Sequence, residues 1–491
     1  MKQFLVLAAL LSAALAGCLG DDGDDDPVRE TVDKYGEAIR YVLPEDPMPE
    51  GAGHDHTAVD QHQFLWNYEF SARDPLGQNA ANIAGVHALD LQAGYLFGAV
   101  YGSHAVAVDG GLAIWDLADP AQPSLAGQLR LPGAIGGDRS MEATQDGNYA
   151  VIVTETVTCF GQVSPTSAVF NAYLIDTSDK SLPIIADVIT GAGPAIGSPT
   201  RVNPSIGEHS VAVHNIGGID YAFIFGKIFE ISGGENSGVF VDTGAVINVG
   251  HDLYLRDTPW GDVWALSANG GGGLQIYNVT DPMNPVEIGN WDVPDRDSLT
   301  ESYYLHTADV AFFDEQIIIM ISSEDWLDWV SPFWILDATE LEGATSAVVM
   351  EDIGMWGNPG NHTAIGTSFS LHNPRFTHDG ILTLSSYHGG LWQLDFRHPE
   401  FRAEPAEIAY AVYAEGTPTQ IEDPVFDAVE TTLCGLGLTM DAPTYMDVEV
   451  HPSGILYAAD VFLGLFTFTP SADHPVFGEG FVAPEDAYAV N

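Results

Sequence analysis

Five histidines hold equivalent places in this sequence: His87, His209, His251, His306 and His372. Each stands at the start of a short run of alternating apolar character, as in VHALDLQ, EHSVAVHN, HDLYLRD, LHTADVAFF and LHNPRF. Glu142 in SMEATQDG and Asp447 in YMDVEVHPSG stand near the start of two further runs of this kind. Imidazole nitrogens with added carboxylates suit copper, zinc or iron. If the runs surround one axis, these side chains form a ring at one level of a channel, able to hold one transition-metal ion. A second reading needs no metal. A repeated unit carries its histidine along for packing, hydrogen-bonded to a turn or a neighbouring strand. Shared ancestry of the units explains the five equivalent positions, and the structural reading is preferred.

The elements that would position these residues are strands. Gly110 to Gly127, GGLAIWDLADPAQPSLAG, returns without a gap as Gly272 to Gly289, GGLQIYNVTDPMNPVEIG. Repeats at this scale indicate an array of like units. Each pair of glycines permits positive φ in a tight turn. Leu112 and Ile114 alternate on one face and are expected to pack between units, and Val286 and Ile288 alternate in the strand after the loop. Asp-Pro followed by a further Pro ends the strand, because proline cannot donate to the ladder. Units of roughly 45–60 residues follow from about residue 62, the period of propeller blades. The third, beginning near His209, is the most degraded, with GVFVD at 238–242 as its expected third strand. The last unit, from Asp447 to LGLFTFTP at 463–470, has three clear strands. The run Phe64–Phe70 reads as one strand that would supply the fourth and close the ring. The expectation is an all-β propeller of seven four-stranded blades over residues 62–470, inner strand first, with a C-terminal tail at 471–491.

The G-L-x-I-x-D-x-x-D-P-x-x-P pattern resembles the LVIVD repeat family of extracellular β-propeller proteins. The resemblance spans roughly residues 62–470 and is clearest in the first, fourth and sixth units. It implies a fold and a surface location, and no established reaction. The Asp at the strand end becomes Asn278 in the fourth unit and Thr469 in the last.

The remaining chemistry is sparse. None of the three cysteines forms a CxxC, which argues against a cysteine zinc site. Cys159 and Cys434 fall in loops of a kind that emerge on the same face of a propeller. A disulfide across that face and two free thiols both remain open. His54, His56 and His62 lie in a polar linker and read as solvated. Trp326 and Trp329, beside Asp325 and Asp328, read as an inserted loop able to meet a sugar or a peptide, whereas Trp334 and Trp356 read as core. Asn361 and Asn278 each open a glycosylation sequon, and Asn278 is the poorer candidate because it lies in a strand. No phosphate-binding loop, GxSxG, HExxH or EF-hand pattern is present.

The address lies at the N-terminus. Residues 1–17 read as a signal peptide, with Lys2 before the apolar run Phe4–Leu15. Leu15-Ala16-Gly17-Cys18 resembles the lipobox of prokaryotic lipoproteins, which implies lipid attachment at Cys18. Residues 18–61, with DDGDDD at 21–26, form an acidic tether. The formal net charge is −54, from 15 Lys and Arg against 69 Asp and Glu. Such a chain repels nucleic acid and anionic lipid. It is expected to come from a salt-loving, archaeal source and to lose stability in dilute buffer. The expected protein is a monomeric, non-catalytic lipoprotein on the outer face of the cell membrane. It meets the membrane through its lipid anchor alone and binds an extracellular protein, peptide or glycan. A copper-type enzyme using the histidine ring and a passive envelope scaffold are the alternatives.

Overall fold

A computed structural model of the 491-residue chain describes residues 39–40, 64–76, 85–100, 110–131, 141–154, 169–192, 210–224, 226–233, 237–294, 304–324, 332–357, 370–377, 380–413, 443–461 and 463–482. The described strands form seven sheets, the blades of a β-propeller, antiparallel throughout except where Val348–Val349 adds a parallel edge to Val286–Trp291. Blade 1 runs Val86–Gln92, Tyr95–Val100, Gly110–Asp116, Ser124–Leu131, from the inner strand outward. Blades 2 to 6 begin with the inner strands Met141–Ala143, Val211–Ile216, Asp252–Asp257, Tyr304–Phe313 and Pro374–Phe376. Blade 7 takes Tyr445–Val450, Leu456–Asp460 and Gly464–Pro470 from the C-terminal part of the chain. Its outer strand is Tyr68–Asp74, paired antiparallel to Gly464–Pro470.

The repeat motif forms the third and fourth strands of a blade, and its parts have separable roles. φ is positive at the second glycine of the pair, Gly111, Gly273 and Gly390, and also at Gly464, which follows Leu463 at the start of the third strand of blade 7. A Cβ there would lie 2.0 Å from the Leu129 carbonyl oxygen in blade 1 and 2.2 Å from that of Asp74 in blade 7. The strand-end Asp makes an Asx turn. Asp116 Oδ1 accepts the Ala118 N–H at 2.8 Å, Asp176 that of Ser178 at 2.9 Å, and Asp337 that of Thr339 at 2.9 Å. Asn278 makes the same bond to the Thr280 N–H at 3.0 Å, so the amide replaces the carboxylate without loss of the turn.

Leu112 and Ile114 pack into blade 2 beside Met141, Ile152 and Ile175, while Trp115 on the other face joins Tyr457 and Leu465 of blade 7. Burial of large side chains on both faces of each sheet holds the ring together, at about 1.5–3 kcal/mol per fully buried Leu, Ile or Phe. The final glycine of the motif brings neighbours close. A Cβ at Gly127 would lie 2.1 Å from the Lys180 carbonyl oxygen in the loop of the next blade.

The structure corrects three expectations. Val286 and Ile288 do not share a face, because a β-bulge intervenes: Tyr277 pairs with Glu287 and Ile276 with Gly289. Ile288 is buried and Val286 exposed. In blade 3 the third strand is Lys227–Ser232, and Val241–Val246 is the fourth. Tight turns at Gly217-Gly218 and Gly226, all at positive φ, compress the blade's first three strands into a short stretch. The run Phe64–Phe70 is two strands. Phe64–Trp66 extends blade 6 by pairing with Ala406–Val412, and the chain crosses to blade 7 at Asn67, whose φ is 61°. Asn67 holds the crossing, with its Nδ2 donating to the Ile408 carbonyl and its own carbonyl accepting from the Ser471 N–H.

The segment after Pro470 folds back over its described part. His474 Nε2 meets Gln393 Oε1 at 2.9 Å, and Phe477 lies against Gly454. Among the described residues no helix is long and apolar enough to cross a membrane.

Candidate functional site

The seven inner strands stand around one axis, and side chains on or beside them join every blade to the next. Asp447 Oδ2 of blade 7 accepts the Leu89 N–H of blade 1 at 2.8 Å. Asp90 does the same for Ala143 of blade 2 at 2.7 Å, and Glu142 for Val213 of blade 3 at 2.7 Å. Ser210 donates to Asp252 across the 3–4 junction at 2.8 Å, and Thr307 donates to Asp252 across the 4–5 junction at 2.6 Å. Asp309 accepts the Phe376 N–H across the 5–6 junction at 2.7 Å, and Arg375 of blade 6 reaches Glu449 of blade 7 at 2.9 Å. Charge-assisted bonds of this kind are roughly twice as strong as neutral ones.

Where the inner strands end, a cavity of about 200 Å³ opens between blades 1, 2, 3, 4, 6 and 7, with Phe477 and Phe481 of the C-terminal segment at its wall. Two arginines flank one aromatic ring here. Arg256 and Arg375 place their guanidinium carbons 4.6 and 4.9 Å from the centroid of Tyr254. Arg256 grips Asp309 with two bonds of 2.9 and 2.8 Å. Burial works against the charge of both arginines, and the neighbouring carboxylates outweigh it: Asp309 for Arg256, Glu449 for Arg375. Burial, and after it the charge of Glu142, pushes the Asp90 carboxyl up to about 7, against the pull of the Ala143 N–H and Arg375.

The opposite ends of the inner strands carry the histidines. His251, His306 and His372, from blades 4, 5 and 6, lie in succession. Ring centroids are 4.4 Å apart for the first pair and 4.1 Å for the second. Glu324, the last residue of Gln316–Glu324, enters the group with Oε2 3.7 Å from His306 Nε2. One ligand atom each from His251, His306 and Glu324 lies within 4.8 Å of the others, and all three residues are buried.

Neighbouring groups set the orientation of these side chains. Tyr387 donates to Glu324 Oε1 at 2.6 Å. The Thr307 hydroxyl has one proton, and the Asp252 carboxylate at 2.6 Å takes it in preference to the Asn373 amide oxygen at 3.0 Å. Thr307 therefore accepts from His306 Nδ1–H at 2.7 Å, which leaves the ring lone pair on Nε2, facing Glu324. His372 Nδ1–H donates to the Met446 carbonyl, which places its lone pair on Nε2 as well.

Of the residues singled out by sequence, the structure brings His251, His306 and His372 together. His87 is buried as the second residue of blade 1's inner strand. Glu142 and Asp447 are engaged deeper in the channel with backbone of the next blade. Asn278 is committed to its turn, accepting from both the N–H and the hydroxyl of Thr280. His209, Cys18, Cys159, Cys434, Asn361, Trp326 and Trp329 lie outside the described residues. Trp334 and Trp356 are core.

Sequence reasoning missed Glu324, Tyr387, Asp309 and the two arginines. The arginines carried a signal. The chain has 15 Lys and Arg, and two of them sit inside histidine-led inner-strand runs, HDLYLRD and LHNPRF.

No protein-family model matches the sequence, and no curated protein does. Among solved structures, the chain is similar to the WD40 β-propeller domain of Doa1, at 9% identity and a TM-score of 0.43, covering 83% of this chain and 98% of that one. It is also similar to Sqt1 from Chaetomium thermophilum, at 10% identity and a TM-score of 0.43, covering 83% of this chain and 100% of that one. The Dos1 propeller aligns at 10% identity and a TM-score of 0.38, covering 79% and 78%.

Proposed function

We propose that this protein is a cell-surface binding propeller, held to the membrane by lipid at Cys18, whose arginine-lined funnel receives a cationic group of an extracellular partner. The motif's resemblance to LVIVD repeats and the lipobox-like sequence support the surface location. The observation that carries the binding reading is the funnel itself. It is a concave site with convergent polar groups and a carboxyl perturbed to about 7, the usual marks of a ligand site.

Charge decides the ligand class. Arg256 and Arg375 are answered by Asp309, Asp447 and Glu449, and Asp90 and Glu142 add further negative charge to the same wall. The surplus is acidic even with the Asp90 carboxyl only partly ionised near neutral pH, as is the whole chain, so a lysine or arginine side chain of a partner protein is favoured over an anion. Phe477 and Phe481 supply an apolar wall for the stem of such a side chain.

The test is calorimetric titration with short peptides bearing lysine, arginine, norleucine or glutamate, in about 1 M salt so that surface charge is screened. Basic peptides should bind, and Gln145→Trp, which narrows the mouth and replaces none of the charged residues, should abolish binding. Equal affinity for all four peptides, or for the Gln145→Trp variant, would exclude the funnel as the site. The grouping of His251, His306 and Glu324 favours a second reading, a metal-dependent propeller with its ion at the other mouth.

A further inference from the structure

We propose that His251, His306 and Glu324 form a buried site for one divalent transition-metal ion of borderline softness, with Zn(II) the first candidate. The site is distinct from the funnel and from the five-histidine ring suggested by spacing alone.

The arrangement of protons leads to it. Thr307, itself spent on Asp252, fixes the His306 proton on Nδ1. The Nε2 lone pair then faces a carboxylate oxygen at 3.7 Å, inside a region where both side chains are buried. Two electron-rich atoms so placed repel unless positive charge lies between them. Donors bound to one zinc at about 2.0–2.2 Å in tetrahedral geometry are about 3.3–3.6 Å apart, and the 3.7 Å here is met by opening the angle at the metal to about 115–125°. The full set of three falls within 4.8 Å, so a small inward turn of the His251 ring completes it. Two imidazoles and one carboxylate are a familiar donor set for Zn(II) and Fe(II), whereas Ca(II) and Mg(II) require oxygen ligands.

The surroundings have the form of a metal site's outer layer. Thr307 orients His306, and Tyr387 orients Glu324 through the oxygen that faces away from His306. His372, whose ring meets that of His306 at a tilt of 41° and is anchored to the Met446 carbonyl, holds the His306 ring in place. We assign His251, His306 and Glu324 as ligands, and Thr307, Tyr387 and His372 as positioning residues. The rival occupant of the gap is a proton shared by His306 and Glu324.

The experiment uses the purified full chain, stripped with a chelator and titrated with Zn(II) or Co(II) in about 1 M salt to suppress binding by surface carboxylates. One ion per chain should bind with a sharp break, and Co(II) should show the visible bands of an ion with nitrogen and oxygen ligands. Glu324→Gln, which keeps the shape and removes the charge, should weaken binding at least about 100-fold, and Tyr387→Phe about 10–100-fold. The surface control Glu342→Gln should match the wild type. His306→Ala serves only if circular dichroism shows it folded, and Glu324→Gln decides the matter otherwise. Binding without a one-to-one break, or a Glu324→Gln protein as tight as wild type, would overturn the metal assignment in favour of the shared proton.

Discussion

The two ends of the channel are made by the same inner strands, yet they solve burial in opposite ways. At the funnel, full charges are buried in pairs: Arg256 with Asp309, and Arg375 with Asp447 and Glu449. At the histidine mouth, imidazoles are held in set tautomers by a hydroxyl and a carbonyl, and one carboxylate faces them. A buried charge pair is costly to break, since the remaining partner stays buried without compensation. A tautomer held by neutral neighbours costs less to disturb and keeps a lone pair for a ligand. The funnel's charged floor therefore fastens blades together, and the histidine mouth is where affinity for an ion can be built at small expense in stability.

The largest expected effect tests this contrast directly. Arg375→Ala should cost about 3–5 kcal/mol in denaturant unfolding at high salt, because it removes the buried cation that faces the carboxylates of Asp447 and Glu449. A cost below about 1 kcal/mol would show that the funnel charges do not hold the ring.

Asp90→Asn should raise stability by about 1–3 kcal/mol at pH 8 and have little effect near pH 4. The sign follows from the raised carboxyl. With a folded value of about 7 against an ordinary unfolded value near 4, its stabilising contribution is full below about pH 4 and is lost as pH rises through about 7. His451 and His474 act in the other direction. Burial depresses them to about 4 and about 3, so their contribution is present above about pH 6.5 and lost as pH falls through those values. Melting curves across pH should show wild type declining on both sides, and the Asn variant declining only in acid.

At the histidine mouth, Thr307→Val should cost about 1–2 kcal/mol in metal-free protein, through loss of the hydrogen bonds to His306 and Asp252. A cost as large as that of Arg375→Ala would erase the distinction between the two ends. The smallest effect belongs to the outer rim. Asp116→Ala should cost about 0.5–1.5 kcal/mol through loss of its backbone-capping bond, and Asn278→Ala somewhat more, because Asn278 also accepts from the Thr280 hydroxyl. A larger loss at Asp116 than at Asn278 would show that the charge of Asp116 matters beyond its turn.

Much of the architecture was legible because it is local. A glycine that must approach the Leu129 carbonyl, an Asp that caps its own turn and a proline that ends a strand act within a few residues, and their spacing survives in the repeat. The errors fell where local pattern was ambiguous. Phe64–Phe70 alternates like one strand, and only Asn67, held by Ile408 and Ser471 from distant parts of the chain, divides it between two blades. Blade 3 lost its motif, so nothing in its sequence separated the third strand from the fourth.

The candidate sites were legible by halves. His251, His306 and His372 were found by their equivalent places, and the structure does bring these three into contact. Glu324 was not found, because it comes from a second strand and follows two serines at the end of the run QIIIMISSE, where no repeat marks it. Glu142 and Asp447 have the residue type of a ligand, but a backbone N–H from the next blade claims each of them.

By itself the sequence determined the repeat, the strand periodicity, the turn chemistry and the acidity of this protein, because these depend on neighbours along the chain and on composition. Which carboxylate meets a histidine, which meets an arginine and which meets a bare N–H was decided only when the blades closed into a ring. Those partners lie on different strands, 53 residues apart for Arg256 and Asp309, 71 for Glu142 and Val213 and 358 for Leu89 and Asp447, and short-range spacing carries no information about them.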